Sequence, residues 1–319
     1  MTGAPVDRQP TTHPTTYRAG LIGSGISTSA SPCLHEREVA SLGRAGRYTL
    51  LDIDELKIEP ADIGPLLRAA RNAGWQGLNV THPCKLTVIP YLDDLSPDAR
   101  QIGAVNTVVF TDGGAIGHNT DWSGYAHALR TQLPGGLGPT DLTDVVLLGA
   151  GGAGSAVGHA LLSLGTSTLH VVDARADRAT SLSAGLQERF PTATVDSLPA
   201  SRVKTVLATA TGIVNTSPIG MVGHPGSPVP IEHLRTDIWV NDIVYRPRWT
   251  PLLAAADRIG CRILGGGPMV AFQAAHAIEL IADLPADRAR MLSALPDAIA
   301  DGEAGRAVAD RFPSPAVRG

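Results

Sequence analysis

Cysteine and charge of one dominant sign are both scarce in this chain, and each scarcity closes off a class of function. Three cysteines, Cys33, Cys84 and Cys261, stand far apart in 319 residues with no CxxC pair. Neither a disulfide framework nor a thiolate zinc site is expected, and a reducing compartment fits best. The ten histidines form no HExxH or comparable spacing, so no metal is expected, and His35, His82 and His118 read as structural. With 26 Lys and Arg against 30 Asp and Glu, there is no basic stripe to neutralise phosphates, and nucleic acid is not an expected partner. No run approaches the roughly eighteen apolar residues of a membrane span, and the first residues hold no apolar signal core. A soluble, cytoplasmic protein with no membrane partner is expected.

What the chain does have is a 43% hydrophobic content over 319 residues, enough for two domains of ordinary size. From Tyr17 onward, short apolar runs alternate with helical patterns. AGLIG (19–23) leads to a helix opened by Ser31 and Pro32 and closed by Gly43. YTLLDI (48–53) precedes a helix carrying Leu66, Ala69, Ala70 and Ala73 and ended by Gly74; LNVT (78–81) follows. AVNTVVF (104–110) and AIGHNTD (115–121), split by Asp112, Gly113 and Gly114, read as a hairpin, after which Asp121 opens a helix.

PGGLGP (134–139) breaks the composition, and the alternation restarts with DVVLLG (144–149), LHVVD (169–173), GIVNTS (212–217), WVNDIVY (239–245) and CRILGG (261–266). Strand and helix in alternation imply right-handed crossovers and parallel sheets, with ligands at the carboxyl ends of the strands. The fold class expected is α/β in two domains, a mostly parallel N-terminal unit and a Rossmann-type unit, with a cleft between them. Residues 1–16 and 299–319 are expected to be disordered tails.

The apolar run ending at Leu148 passes at once into Gly149-Ala150-Gly151-Gly152-Ala153-Gly154 and then a helical pattern. This is GxGxxG in its strand-to-helix setting. The first glycine allows the tight turn, the second lets backbone approach a pyrophosphate and the third permits close packing, while the helix N-terminus offers donors. Asp173, about twenty residues on, ends the next strand, where a carboxylate accepts from ribose hydroxyls and repels a 2′-phosphate. NAD is the expected cofactor, although Arg175 and Arg178 leave NADP open; the alternative for Asp173 is a helix cap, but strand, loop, helix and acid falling in order favour the cofactor role. Gly149, Gly151, Gly152, Ala153, Gly154, Asp173 and Arg175 are the cofactor candidates here, joined by Thr216 and Gly266 at the ends of later strands.

Thr81, Lys85, Asn106 and Asp121 each lie at or just beyond an apolar strand, so the fold sends them towards one crevice. Oxidising a secondary alcohol needs a hydride acceptor and a group to take the hydroxyl proton. Lys85 suits the second role, with Asp121 to fix it and Asn106 able to donate and accept. Taken singly, Lys85 also reads as a surface lysine, Asn106 as a turn residue and Asp121 as a helix cap. Ser29 and Ser31, two apart, can both donate to one carboxylate, or Ser31 can cap its helix. Tyr245 and Gln273 complete the substrate candidates.

Together these segments resemble the shikimate and quinate dehydrogenase family: STSASP (27–32), NVTHPCK (79–85), GAVNTV (103–108), NTD (119–121), GAGGAG (149–154), VNTSPIGM (214–221) and AFQAA (271–275). The match runs from Tyr17 to about Leu284. The resemblance implies a two-domain enzyme that interconverts shikimate or quinate with the 3-dehydro acid. Lys85 and Asp121 would be its catalytic pair, and Thr81, Asn106 and Gln273 would hold ring hydroxyls. Ser29 and Ser31 would bind the carboxylate, and Tyr245 would lie near the substrate. It further implies a substrate-binding domain over 17–121, completed by helices over 268–298 that return to it, and a nucleotide domain over 122–267. A monomer or homodimer is expected.

Biosynthetic members typically carry an Asn-Arg-Thr-like phosphate clamp where this chain has Asp173-Ala174-Arg175, which moves the expectation to NAD. The opening GLIGSGISTSASPCLHERE (20–38) is closer to the actinobacterial quinate/shikimate branch, whereas Ser31 stands where quinate-active relatives often have threonine. An NADP-dependent biosynthetic enzyme and an aminoshikimate-pathway relative stay open beside the quinate/shikimate reading. A dinucleotide-sensing regulator would need no Lys85 with Asp121.

Overall fold

A computed structural model describes residues 16–304, so most of each expected tail lies outside the described residues. Its strands form two six-stranded sheets. The first holds β1 (Thr16–Gly23), β2 (Ala45–Asp52), β3 (Gly77–Val80), β4 (Asp94–Leu95), β5 (Thr107–Thr111) and β6 (Gly114–His118), in the order β2-β1-β3-β5-β6-β4. β1 runs parallel to β2 and β3, while β5 is antiparallel to β3 and β6. That reversal is the hairpin expected at Gly113 and Gly114.

The second sheet holds β7 (Asp144–Leu148), β8 (Thr168–Val172), β9 (Thr194–Ser197), β10 (Gly212–Asn215), β11 (Trp239–Asp242) and β12 (Arg262–Leu264), in the order β12-β11-β10-β7-β8-β9. Every pairing in it is parallel. The order reverses between β7 and β10, which opens a crevice at the carboxyl end of β7. β7 shows why it sits there: Val145 and Leu147 enter one buried core, while Val146 and Leu148 enter another on the opposite face. Alternation with apolar residues on both sides marks a central strand covered on both faces.

Among the described residues the helices are α1 (Ser31–Ser41), α2 (Ile53–Leu56), α3 (Gly64–Asn72), α4 (Cys84–Thr87), α5 (Pro97–Ile102), α6 (Asp121–Gln132), α7 (Gly152–Ser163), α8 (Ala176–Arg189), α9 (Val203–Leu207), α10 (Pro251–Ile259), α11 (Gly267–Ala282) and α12 (Arg288–Glu303). α11 and α12 leave the second sheet and share a core with the first: Ala271, Ile278, Met291 and Leu295 pack with Tyr17, Ala19 and Leu34. α6 serves both units, placing Tyr125 and Leu129 in the core of the second sheet and Ala128 in that of the first. α6 and α11 cross closely at Gly124, where any side chain would run into the Gln273 backbone.

The expected C-terminal tail from 299 is wrong for its first residues. α12 continues through Glu303, with Ala298 and Gly302 buried, because Gly302 fits against the Thr28 carbonyl where a Cβ would not. At the other end Thr16, expected in the tail, already pairs with Ala45.

Candidate active site

β3 delivers its chain end to the crevice between the units. The Thr81 N–H donates to the Ile22 carbonyl at 2.9 Å, and its carbonyl accepts from the Cys84 N–H at 2.8 Å, which turns the chain directly into α4. Lys85 follows on that turn, and its Nζ donates to Asp121 Oδ2 at 2.6 Å. The two side chains are 17% and 9% exposed. Lys85 is therefore no surface lysine.

Asp121 begins α6 yet does not spend its carboxylate on the helix. Asn119 Oδ1 takes that task, accepting from the N–H groups of Asp121 and Trp122 at 3.1 and 3.3 Å. This frees Asp121 to face the crevice. Asn106 Nδ2 donates to Asp121 Oδ1 at 2.9 Å and to Thr120 Oγ1 at 3.0 Å, and reaches Gln273 Oε1 on α11 at 3.5 Å. Lys85, Asn106, Asp121 and Gln273 thus form one connected group, although they come from widely separated parts of the sequence. An amine held by a carboxylate, beside amides that both donate and accept, can move a proton at a hydroxyl and orient a polyol.

The remaining substrate candidates lie outside that group. Thr81 lays its methyl over Gly23. Ser29 Oγ accepts from the Ser31 N–H at 3.2 Å, and the α1 N-terminus has no side-chain cap, so Ser31 does not close its helix. Burial pushes the Tyr245 phenol above its ordinary range, so it meets any partner as a neutral hydroxyl. Its neighbour Arg246, which sequence reasoning missed, reaches across the crevice. Arg246 Nη1 donates to the Thr28 carbonyl at 2.6 Å and to Thr28 Oγ1 at 2.8 Å.

On the nucleotide side, Gly149 has φ +102°, a conformation open to glycine at little cost. At Gly154 a Cβ would collide with the Gly149 carbonyl, so this glycine packs its helix against its own loop. Thr216 Oγ1 donates to the carbonyls of Leu148 and Gly149 at 2.8 and 2.9 Å and braces that loop from β10. Gly266 likewise fits where a Cβ would strike the Ile243 carbonyl. Nothing crowds the Cα of Gly151, and Gly152 faces Lys85 Cδ, with 3.6 Å from its would-be Cβ. The first-turn amides of α7, those of Gly152, Ala153 and Gly154, have no intrahelical acceptor and point outward as anion donors. The cradle and its donors fit a dinucleotide.

Asp173 Oδ2 accepts from the Ala150 N–H at 2.7 Å and Oδ1 from the Arg175 N–H at 2.8 Å. The carboxylate clamps the glycine loop, and each oxygen keeps a lone pair for a further donor. Arg175 turns to Asp177 at 2.6 Å on the surface.

A second carboxylate, Asp242 at the end of β11, was not foreseen. It accepts from Asn215 Nδ2 at 2.9 Å, the Val244 N–H at 3.1 Å and Thr250 Oγ1 at 2.7 Å, tying together the loops that follow β10 and β11. Burial pushes its carboxyl up to about 6 from the ordinary 3.8, against the pull of those hydrogen bonds. The folded protein therefore binds the proton more tightly than the unfolded chain does. The stability this brings is complete below pH 3.8 and is lost as pH rises through about 6. Asp242→Asn removes the titration, so the melting temperature of the variant relative to wild type is expected to rise between pH 4 and 7. Parallel curves across that range would show that Asp242 does not titrate there.

Residues 21–108 match the family model described as the shikimate dehydrogenase substrate binding domain. A relative from Streptomyces avermitilis, named shikimate dehydrogenase (NADP(+)), is 48% identical over 277 residues, covering 87% of this chain and 94% of its own. The chain belongs to the shikimate dehydrogenase family. It is an NAD(P)-dependent oxidoreductase acting on a CH–OH group. A second family member, the quinate/shikimate dehydrogenase (NAD(+)) of Corynebacterium glutamicum strain R, is 41% identical over 273 residues, covering 85% of this chain and 95% of its own. The solved quinate dehydrogenase from Corynebacterium glutamicum in complex with NAD superposes with a TM-score of 0.83 at 39% identity, covering 88% of this chain and 99% of that one. Among the described residues no helix is long and apolar enough to cross a membrane, and no three metal-ligating side chains stand together.

Proposed function

We propose that the chain is a cytoplasmic quinate/shikimate 3-dehydrogenase that uses NAD to oxidise the ring C3 hydroxyl of shikimate or quinate. The observation that carries the reading is Lys85 Nζ held 2.6 Å from Asp121 Oδ2, beside a glycine loop built for a dinucleotide. Residues 17–121, completed by α11 and α12, bind the acid, and residues 122–267 bind the nucleotide.

When bound, NAD(P) accepts the hydride from the ring carbon. Lys85, as the neutral amine, takes the hydroxyl proton while the carbonyl forms; in reduction its ammonium returns that proton to the oxygen. Asp121 fixes the Nζ position and shares the substrate hydroxyl. Asn106, Thr81 and Gln273 hold the ring hydroxyls, Ser29 and Ser31 meet the carboxylate, and Tyr245 lies near the substrate at the domain cleft.

The first-turn amides of α7 receive the pyrophosphate. Gly149, Gly154, Thr216 and Gly266 shape the cradle, and the Asp173 carboxylate, with a lone pair left on each oxygen, accepts from the adenosine ribose and disfavours a 2′-phosphate. A second reading, NADP-linked shikimate biosynthesis, is favoured by the 48% identical Streptomyces relative named for NADP(+) and by Arg175 and Arg178 beside the ribose site. Initial rates with quinate and with shikimate, each with NAD and with NADP, decide between them. Faster NAD reduction is the expected result; a shikimate and NADP preference would assign the enzyme to aromatic biosynthesis and remove the ribose-selecting role from Asp173.

A further inference from the structure

Three buried side chains behind the site have no part in the mechanism above: Tyr48 on β2, Asn79 on β3 and Thr107 on β5, exposed by 5%, 6% and 0%. Buried polar atoms of this kind need partners. The Tyr48 hydroxyl donates to Asn79 Oδ1 at 2.8 Å, and Asn79 Nδ2 donates to Thr107 Oγ1 at 2.9 Å. The Thr107 hydroxyl in turn donates to Asn106 Oδ1 at 3.0 Å, and Asn106 Nδ2 ends the series on Asp121 Oδ1 at 2.9 Å. One unbroken path therefore runs from Tyr48 to the Lys85–Asp121 pair.

The register makes the path possible. Tyr48 stands opposite Ala19 on β1, whose small side chain lets the phenol reach across to β3, and Asn79 stands directly opposite Thr107. Backbone groups fix its direction. Asn106 Oδ1 accepts from the Thr120 N–H at 2.7 Å, which can only donate, and Asn79 Nδ2 donates to the Asn106 carbonyl at 3.3 Å, which can only accept. Neither amide can be flipped without losing a backbone bond. With both set, every side-chain proton from Tyr48 onward points the same way and the series terminates on a carboxylate. Head-to-tail hydrogen bonds of this kind polarise one another.

We propose that Tyr48, Asn79 and Thr107 act as positioning residues, an oriented relay that holds Asn106 and the Asp121 carboxylate in register with Lys85 at the reacting hydroxyl. The proposal rests on the site reading above. Asp121 can place the Lys85 amine only if its own carboxylate is held still, and the relay anchors that carboxylate through Asn106 across four adjacent strands.

A double-variant cycle tests this in kcat/KM for the preferred acid, with melting curves for each protein. Tyr48→Phe and Thr107→Val are each expected to lower kcat/KM about tenfold, and the double variant no further than about tenfold, since a relay broken twice is broken once. Thr107→Ser, which keeps the hydroxyl, is expected to stay within about twofold of wild type. Losses that multiply to about a hundredfold, or a Thr107→Ser loss equal to that of Thr107→Val, would assign the residues to independent packing roles and overturn the relay. If Tyr48→Phe does not fold, the comparison of Thr107→Val with Thr107→Ser decides alone. A wild-type enzyme inert towards both acids would instead defeat the site reading, so the two failures are separable.

Discussion

Replacing Lys85 by alanine is expected to lower turnover by at least about two orders of magnitude, the scale of general acid-base catalysis, while leaving dinucleotide affinity close to wild type. The separation follows from geometry. Lys85 Nζ is committed to Asp121 on the substrate side, 2.6 Å away, whereas the groups that shape the nucleotide cradle lie on β7, α7, β10 and the turn before α11. Only the aliphatic stem of Lys85 approaches the glycine loop, beside Gly152. Turnover by stopped-flow absorbance of the reduced cofactor, with nucleotide affinity by calorimetry, reads the two effects separately. Near-normal turnover in the variant would remove Lys85 from the proton transfer.

Gly154→Ala is expected to act on the opposite term, weakening dinucleotide binding by about ten- to a hundredfold, which corresponds to the 1–3 kcal/mol typical of overpacking at a close contact. The added methyl collides with the Gly149 carbonyl. Gly149 cannot yield cheaply, because its φ of +102° and its contact with the Thr216 brace fix it in place. Gly151→Ala provides the contrast. No protein atom lies within 4 Å of its would-be Cβ, so a loss there reports displaced ligand rather than a strained loop. Unchanged calorimetric affinity in Gly154→Ala would mean that the loop relaxes without disturbing the phosphate donors.

The glycine loop was legible because its signal is local: a strand, three spaced glycines and a helix occur within one short stretch, and the carboxylate follows at the next strand end. The hairpin of β5 and β6 was legible for the same reason. β9, reading Thr-Val-Asp-Ser, offers one buried apolar residue at a sheet edge, and the two-residue β4 is too short for any period to show. α12 was cut short because its last turns are small and charged. What orders them is tertiary, the seating of Gly302 under Thr28 and the burial of Ala298.

At the site, the sequence placed Lys85, Asn106 and Asp121 near one another through the rule about strand ends, but single-residue reasoning favoured a surface lysine, a turn and a cap. Asn119 resolves the last of these, since it caps α6 and leaves Asp121 free. Tyr48, Asn79 and Thr107 stayed hidden because each sits inside a run that reads as ordinary strand. Their common purpose appears only when four strands are laid side by side. Asp242 lay inside WVNDIVY, a stretch read for its strand and its tyrosine alone, and Arg246 is the residue just beyond it.

The crossing of α6 and α11 at Gly124 bears on how the two halves are joined. Both helices are shared property: α6 is rooted in the two hydrophobic cores, and α11 leads from the nucleotide sheet back to the substrate side. With no room for a side chain at the crossing, the helices meet one helical turn from Asp121, so a bulkier residue at Gly124 would part them and displace Gln273 from Asn106 in the same stroke.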